Sequence, residues 1–324
     1  MNDNINWHSR KVVIVGAGAV GATFAYALAQ SGLADEIALL DANRELAMGH
    51  VLDLAHGQAF FPSVQIREGQ KVDYADAHLI VITAGTRQQP GESRMGLLQR
   101  NAGIVQGIVD DIVQQNSPAV LLVVSNPVDV MVSVAHKRSG WPRGRVIGSG
   151  TVLDSARFRY LLSQHCGVDV HNVHAYILGE HGDSEFAAWS MTNVAGLPIR
   201  EYCPVCGKCD DLKAAHGSIV EAVRKSAYHI IDYKGATNFA VGLALVRIAA
   251  AILRNQHSVL TISAVLDGEY GLSGVSLGIP CLVSQKGIER ILEVNLTTEE
   301  QNSLLHSAAV LQEAIAQLES TRTG

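Results

Sequence analysis

A glycine-rich turn near the N-terminus constrains the fold of this chain more than any other feature. Residues 16–21 read Gly-Ala-Gly-Ala-Val-Gly, a G-x-G-x-x-G pattern between the β-branched run Lys11–Val15 and an alanine-rich helical segment at residues 20–30. Such glycines permit a tight turn, close approach of the backbone to a pyrophosphate, and close packing of helix on strand. The pattern therefore predicts a dinucleotide-binding βαβ unit. The residues expected to line the pyrophosphate are Gly16, Gly18, Ala19, Val20 and Gly21.

An aspartate follows the second predicted strand. Asp41 comes directly after Glu36–Leu40, and a carboxylate at this position can bind the two hydroxyls of an adenosine ribose. The same charge repels a 2′-phosphate, so NAD is favoured over NADP as the cofactor. A structural glycine turn with an unrelated surface aspartate is the alternative, but the order of strand, glycines, helix, strand and aspartate argues against it.

Short apolar strands alternate with helices over the first half of the chain. Further strands are predicted at residues 78–82, 120–124 and 146–148, and a helix at residues 97–113. This alternation favours βαβ units and a parallel sheet. We therefore predict an α/β fold in which residues 1–150 form a Rossmann-type doubly wound parallel sheet that binds NAD.

The pattern changes after about residue 150, which predicts an α+β substrate-binding and catalytic domain over residues 151–324 packed rigidly on the first. Its predicted elements are helices at residues 154–165, 212–231 and 239–253, with strand-like pieces at residues 187–194 and 259–266. The last helix has a candidate capping box at Thr298 and Gln301, followed by a stripe expected to face the core. That stripe consists of Leu304, Ala308, Leu311, Ile315 and Leu318.

Charge and composition exclude several classes of protein. The 324 residues have a net charge of −6, so broad attraction to nucleic acid is not expected. The longest apolar run, residues 239–253, is interrupted by Arg247 and is shorter than the ~20 residues of a membrane span. The first ten residues lack the apolar core of a secretory signal, so a cytoplasmic location is expected. An odd number of cysteines, five, argues against a disulfide framework.

Four polar stretches are not explained by a hydrophobic core. They read RQQPGESR at residues 87–94, SNP at residues 125–127, LDSAR at residues 153–157 and GEHGDS at residues 179–184. With these stretches in order, the chain resembles the lactate and malate dehydrogenase family from the glycine loop to the last helix. The resemblance implies an NAD-dependent L-2-hydroxy-acid dehydrogenase, a homotetramer and a role in glycolytic fermentation.

The resemblance assigns the acid–base role to His181. Reducing a ketone requires a hydride on carbon and a proton on oxygen, and histidine titrates near neutral pH. Asp154 matches the carboxylate that pairs with this histidine, fixes its tautomer and favours its charged form. Because Asp154 also precedes a predicted helix, it could act as a helix N-cap at the same time.

Two arginines match family residues that act on the substrate. Arg157 matches the residue that grips the substrate carboxylate through a bidentate fork, and one helical turn separates it from Asp154. Arg94 resembles the arginine on a mobile loop that polarises the ketone and excludes water on closure. The alternatives are a surface salt bridge for Arg157 and a solvated loop charge for Arg94.

Further residues are expected at the carboxyl edge of the sheet, where nicotinamide and substrate meet. The resemblance gives Asn126 a hydrogen-bonding role toward both, with a cis peptide bond before Pro127. Thr83, Ala84 and Gly85 follow a predicted strand and are similarly placed against the cofactor.

Two residues bear on which acid is the substrate. The malate enzymes of the family have an arginine at the position of Gln88, which is neutral here, and Thr237 matches the lactate type and would crowd a longer substrate. Leaving a second carboxylate buried and unpaired costs several kcal/mol. Pyruvate and lactate are therefore the expected pair, with malate dehydrogenase and branched 2-hydroxy-acid dehydrogenase as alternatives.

A regulatory site is a further implication of the resemblance. In bacterial relatives of the lactate type, the residues that match Arg159 and His174 bind fructose 1,6-bisphosphate between subunits. Arg159 lies two residues after Arg157, a rotation of roughly 200° on a helix, so the two cannot serve one pocket. The bisphosphate is a candidate effector, and an ordinary surface or interface pair is the alternative.

A possible metal site and a rival function remain to be considered. Cys203, Cys206 and Cys209 form a C-x-x-C-x-x-C pattern that can ligate zinc or an iron–sulfur cluster, although only His216 is near as a fourth ligand and the family needs no metal. A loop without metal is the favoured interpretation.

A catalytically silent NAD-binding sensor is the rival class of protein. It would have no need for the four polar residues that match the active site.

Overall fold

The apolar runs of the sequence form one nine-stranded sheet with helices on both faces. The computed structural model describes residues 9–86, 91–208 and 212–320. In these ranges the strands are β1 Lys11–Val15, β2 Glu36–Leu40, β3 Gln65–Glu68, β4 Leu79–Ile82, β5 Val120–Val123, β6 Val146–Gly148, β7 Val173–His174, β8 Ile177–Leu178, β9 Phe186–Ala187, β10 Asn193–Val194, β11 Leu197–Pro198, β12 Ser258–Asp267, β13 Ser273–Ser284 and β14 Gly287–Ile291. The α-helices are α1 Ala19–Ser31, α2 Arg44–His56, α3 Arg94–Gln114, α4 Val128–Ser139, α5 Val152–Cys166, α6 Ile199–Cys206, α7 Leu212–Lys234, α8 Phe239–Leu253 and α9 Thr298–Ser320.

The first six strands are parallel and have the order β3-β2-β1-β4-β5-β6. This is the doubly wound order whose direction reverses between β1 and β4, the point at which such sheets bind ligands. Strands β1, β4 and β5 are buried along their whole length, as expected for strands covered by helices on both faces. The predicted Rossmann-type fold is confirmed.

The sheet does not end at residue 150. Strand β12 pairs antiparallel with β6 through Ser263 and Gly148, and β13 and β14 extend the sheet further. The second half of the chain therefore contributes three strands to the sheet of the first half. Its remaining helices and short strands form a second hydrophobic cluster around Phe158 and Ile177.

Most predicted boundaries agree with the structure to within a few residues. Helix α1 ends where Gly32 adopts a left-handed conformation with φ of 61°, the usual role of glycine after a helix. Helix α3 begins at Arg94, three residues earlier than predicted, because the Ser93 hydroxyl accepts a hydrogen bond from the Gly96 amide. The predicted strand at residues 187–194 is two short strands separated by the 3-10 turn Trp189–Met191.

The cap of the last helix lies one residue earlier than predicted, and the helix itself begins at Thr298. The capping box is Thr297 with Glu300, not Thr298 with Gln301, since the Glu300 amide donates to the Thr297 hydroxyl and the Thr297 amide donates to the Glu300 carboxylate. The predicted apolar stripe from Leu304 to Leu318 is buried. Among the described residues, no helix is both long and apolar enough to cross a membrane.

Candidate active site

The glycine loop is held tightly between β1, α1 and the end of β4. Gly16 has a φ of 112°, and a Cβ atom there would lie 2.5 Å from the backbone nitrogen of Ala84. A Cβ atom on Gly21 would lie 1.8 Å from the carbonyl oxygen of Gly16. The Thr83 hydroxyl donates to that same carbonyl over 2.8 Å. Only glycine fits these two positions, so the loop has the tight shape predicted for it.

The amino end of α1 and Asp41 together fit a dinucleotide. The helix begins after Gly18, which has no side chain to cap the first turn, so its backbone N–H groups face an anion directly. The Asp41 carboxylate lies beside the loop and accepts from the amides of Ala17 (2.6 Å) and Asn43 (2.8 Å). Each carboxylate oxygen keeps acceptor capacity for a ribose hydroxyl. These groups would hold the pyrophosphate and ribose of NAD.

A hydrogen-bonded chain joins Asp154, His181 and Arg157. One Asp154 oxygen is 2.6 Å from Nδ1 of His181, and the other is 2.6 Å from Nη1 of Arg157. Asp154 is the third residue of α5 and is almost fully buried, whereas 26% of the His181 side chain is exposed. Asp154 is not the helix N-cap, because α5 begins at Val152 after Thr151. The predicted pairing of Asp154 with His181 is present in the geometry.

A second buried carboxylate, which the sequence analysis missed, holds the backbone of His181. Asp129, in the first turn of α4, accepts a hydrogen bond of 2.8 Å from the His181 amide and one of 2.5 Å from the Ser263 hydroxyl. It thereby connects the loop after β8 to the Rossmann half and to β12. An aspartate at the start of an otherwise apolar helix was the available signal.

Glu185 was also missed, although it lies only four residues after His181. Its side chain is 3% exposed, and one oxygen of Glu185, one oxygen of Asp154 and a ring nitrogen of His181 all lie within 4.8 Å of one another. The nearby Arg224 donates to the Glu185 carbonyl over 2.6 Å. A charged residue before the apolar pair of β9 gave no pattern from which this burial could be predicted.

The charges around His181 favour its protonated form. Burial lowers the pKa of His181, but the charge and hydrogen bond of Asp154, with smaller effects of Asp129 and Glu185, raise it to about 9. Burial acts to raise the pKa of Asp154, but His181 and then Arg157 outweigh it and hold that pKa below its usual range. The arrangement therefore stores an acidic proton on the imidazole at neutral pH.

Two cavities meet at His181 and Arg157. The first, of about 170 Å³, lies at the carboxyl edge of the sheet and is also lined by Asn126 and Thr237. The second, of about 270 Å³, lies between α5, α7 and the loop after β8, and is lined by Asp154 and Glu185. The peptide bond between Asn126 and Pro127 is cis, as expected. The structure thus brings five of the predicted site residues to one cavity. They are Val20, Asn126, Arg157, His181 and Thr237.

Other predicted residues lie elsewhere. Arg159 lines a separate cavity of about 390 Å³ with Tyr176 and Arg247, as its rotation relative to Arg157 predicts. His174 is exposed on β7, and Arg94 is exposed as the first residue of α3 rather than within a loop.

Several predicted residues give no binding geometry. Gln88, predicted to select the substrate, lies outside the described residues, as does Cys209. Cys203 is buried in α6 and Cys206 is half-buried near its end. His216 stacks on Trp189 with the ring centres 3.6 Å apart. The cysteine pattern thus begins within a helix instead of a loop.

The fold and the site are those of an NAD-dependent oxidoreductase. The chain belongs to the lactate/malate dehydrogenase family. The family model described as the lactate/malate dehydrogenase NAD binding domain matches residues 10–148. The model described as the lactate/malate dehydrogenase alpha/beta C-terminal domain matches residues 151–321. The predicted family and the predicted cofactor, NAD, are both confirmed.

Relatives of the chain are similar over almost its full length. The L-lactate dehydrogenase of Treponema denticola is 60% identical over 95% of this chain and 98% of its own length. The L-lactate dehydrogenase of Acetivibrio thermocellus is 49% identical over 98% and 99%. Among solved structures, a lactate dehydrogenase from a Medee basin deep-sea metagenome library superposes with a TM-score of 0.93 at 43% identity, covering 96% of this chain and 99% of that one.

Proposed function

We propose that this protein interconverts pyruvate and L-lactate, using NADH and NAD⁺, in the cavity beside His181. The observation that supports this most directly is the buried Asp154–His181 pair with Arg157 on the same carboxylate. The relatives of 46–60% identity described as L-lactate dehydrogenases support the choice of substrate. We assign cofactor binding to residues 1–150 and the substrate and catalytic residues mainly to residues 151–324.

His181 acts as the acid in pyruvate reduction and as the base in lactate oxidation. Bound NADH supplies the hydride that the ketone carbon receives. Because Asp154 engages Nδ1, the other ring nitrogen, Nε2, is the one that gives its proton to the ketone oxygen. Asp154 stabilises the imidazolium before the transfer and fixes the ring orientation during it.

The arginines and Asn126 orient and polarise the substrate. Arg157 uses one nitrogen on Asp154, and the remaining N–H groups of its fork are available to the substrate carboxylate. Asn126 lines both cavities, which supports its proposed hydrogen bond to the substrate and the cofactor. We assign Arg94, the first residue of α3, the role of polarising the ketone oxygen.

The cofactor contacts follow the carboxyl edge of the sheet. The amides of the loop from Gly16 to Gly21 bind the pyrophosphate, and Asp41 binds the adenosine ribose. Thr83, Ala84 and Gly85 extend this surface toward the nicotinamide. The carboxylate of Asp41 selects NAD over NADP because it would repel a 2′-phosphate.

The assembly, effector and location are proposed from the family. Exposed apolar side chains on three helices, α1, α2 and α8, support burial between subunits in a homotetramer. They are Tyr26, Leu52, Phe239 and Leu243. Fructose 1,6-bisphosphate is a candidate effector through Arg159 and His174, and pyruvate saturation curves that are unchanged by it would remove this idea. Glycolytic fermentation in the cytoplasm is the proposed setting.

One assay separates the candidate functions. NADH oxidation is measured with pyruvate, oxaloacetate and branched 2-oxo acids at equal concentrations. Fastest turnover of pyruvate is expected. Faster turnover of oxaloacetate or of a branched acid would identify a malate or branched-acid dehydrogenase. NADH binding without any turnover would identify a silent NAD-binding protein.

Gln88 is proposed to exclude substrates with a second carboxylate. Gln88→Arg should raise the kcat/KM ratio of oxaloacetate to pyruvate by at least about tenfold, since a hydrogen bond to a charged group contributes about 1.5–3 kcal/mol. Gln89→Arg is the matched control, because it adds the same charge one residue further along the chain. Equal ratios for the two variants would contradict the proposal.

A further inference from the structure

Glu185 is a buried carboxylic acid for which the proposed reaction has no use. Its side chain is 3% exposed, in the turn between His181 and β9. It lines the cavity of about 270 Å³ that is also lined by His181, Asp154 and Arg157. Buried carboxyl groups are normally paired or hydrogen-bonded, so this placement requires an explanation.

The surroundings of Glu185 differ from those of the other two buried acids of the site. Both oxygens of Asp154 and both oxygens of Asp129 accept hydrogen bonds. Within residues 9–86, 91–208 and 212–320, no hydrogen bond to the Glu185 carboxyl group is found, and Arg224 bonds only its backbone carbonyl. The Glu185 carboxyl is therefore not fixed as an anion and can change its charge.

The charged groups that face Glu185 come from three elements. Asp154 and Arg157 face it from α5, His181 from the loop after β8, and Arg224 from α7. Burial and then the Asp154 charge raise the pKa of Glu185, against the three cations, to about 8. The charge of Glu185 in turn raises the pKa of His181. The two groups therefore titrate in one pH range and influence each other.

We propose that Glu185 is a positioning residue that acts through His181: when ionised, its carboxylate stabilises the imidazolium and thereby extends pyruvate reduction to higher pH. The inference rests on the proposed function, since it assigns His181 the acid role. When Glu185 is protonated, the imidazolium is stabilised by the hydrogen bond and charge of Asp154 and by the charge of Asp129. Ionised Glu185 adds a second negative charge within 4.8 Å. The pH at which reduction gives way to oxidation thus depends on both groups.

The test is the pH dependence of Glu185→Gln in both directions of the reaction. The alkaline limb of kcat/KM for pyruvate and the acid limb of kcat/KM for lactate should both move to lower pH by about one unit. At a pH above both limbs, pyruvate reduction should be about tenfold slower than in the wild type. Glu185→Asp keeps an ionisable group and should restore part of the shift.

Glu221→Gln is the matched control, because it removes the same charge from an exposed residue of α7 that pairs with Lys225. The alkaline limb for pyruvate and the acid limb for lactate should lie at the same pH in this variant as in the wild type. If Glu185→Gln lowers activity or thermal stability equally at every pH, with no movement of the limbs, Glu185 only packs and the proposal is overturned.

A second measurement needs no variant of Glu185. The ring signals of His181, assigned by comparison with His181→Asn, are followed by NMR as the pH of the wild-type protein is raised. Two titration steps are expected, and a single step would overturn the proposal. Absence of pyruvate turnover in the wild type would instead overturn the proposed function, while the NMR titration still reports on the coupling.

Discussion

The cofactor edge and the catalytic cavity of this molecule are built in different ways. At the cofactor edge, six consecutive residues and one aspartate form the surface, mostly with backbone atoms. At the cavity, the important contacts are made by side chains from α4, α5, β12 and the loop after β8, one of them with the His181 amide. The first site depends on backbone shape, and the second on burial and charge. Substitutions at the cofactor edge should therefore alter NADH binding, and substitutions at the cavity should alter the kinetic constants or their pH dependence.

The largest effect is expected at the imidazole. His181→Asn should lower kcat by about 10²- to 10⁴-fold, because general acid–base catalysis contributes about that much. The dissociation constant of NADH, measured by fluorescence titration, should change little, since the cofactor edge is unaltered. His229→Asn, on α7, is a control of the same chemistry. Unchanged kcat in His181→Asn would disprove the assignment of the acid.

The next effect is expected at the cofactor edge. Gly21→Ala would place a methyl group 1.8 Å from the Gly16 carbonyl oxygen, so the loop must move. We expect at least about tenfold weaker NADH binding and a lower melting temperature, since strained backbone costs about 1–3 kcal/mol. Gly18→Ala is the control for packing, because a Cβ atom there meets nothing within 4 Å. A methyl group on Gly18 would still hinder the pyrophosphate, so the two variants are compared by melting temperature. A similar fall in melting temperature in both variants would contradict the packing argument.

An effect of similar size is expected at Arg157, where the substitution changes the geometry of the charged group but keeps its charge. Arg157→Lys should lower kcat/KM for pyruvate by about 10- to 100-fold, because lysine cannot bond Asp154 and a substrate carboxylate with one planar fork. Steady-state kinetics with varied pyruvate measures it. Arg159→Lys, two residues along the helix in a separate cavity, should leave pyruvate kinetics unchanged when no effector is added. A full effect of Arg159→Lys on this parameter would mean that the two cavities are coupled.

The smallest effect is expected at Asp129, which accepts a hydrogen bond from the His181 amide and so holds the loop after β8 in place. Burial, opposed by hydrogen bonds from Ser263 and the His181 amide, raises the pKa of Asp129 to about 6. A raised folded-state pKa means that the stability it contributes is present below the unfolded value near 4 and is lost as pH rises to about 6. The unfolding free energy of Asp129→Asn, relative to wild type, should therefore rise by about 2 kcal/mol across this window.

Urea unfolding at pH 4.5 and pH 7 measures that difference. Asp110→Asn removes an exposed carboxylate that pairs with Arg138 and serves as the control. A relative stability of Asp129→Asn that does not change with pH would show that Asp129 keeps an ordinary titration.

The cofactor edge could be predicted from sequence because its information is local. Strand, glycines, helix and aspartate follow one another, and each restricts the next. The stripe of α9 was predictable for the same reason, since its helical period is complete. Helix α4 was missed because residues 128–135 are all buried, which removes the polar face that marks a helix. Helix α2 was not predicted either, because only two of its residues, Ala47 and Val51, are buried and they form no clear apolar stripe.

The catalytic cavity could be predicted only in part. His181, Asp154 and Arg157 lie in motifs that resemble a known family, whereas Asp129 and Glu185 obtain their chemistry from burial. That burial depends on where β12 and β8 pack, which no local pattern of residues specifies. Thr237 was placed correctly at the cavity, and Gln88 stays a prediction.

The pairing of Gly148 with Ser263 has a consequence for any attempt to separate the halves of the chain. A fragment that ends near residue 150 would leave β6 as an edge strand with hydrogen-bonding groups facing water. Unprotected edges of this kind promote aggregation. The fragment would also lose Ser263 and His181, and Asp129 would then lie at an exposed end of its helix without partners. We therefore expect a fragment that ends near residue 150 to aggregate, although the two family models meet at that point.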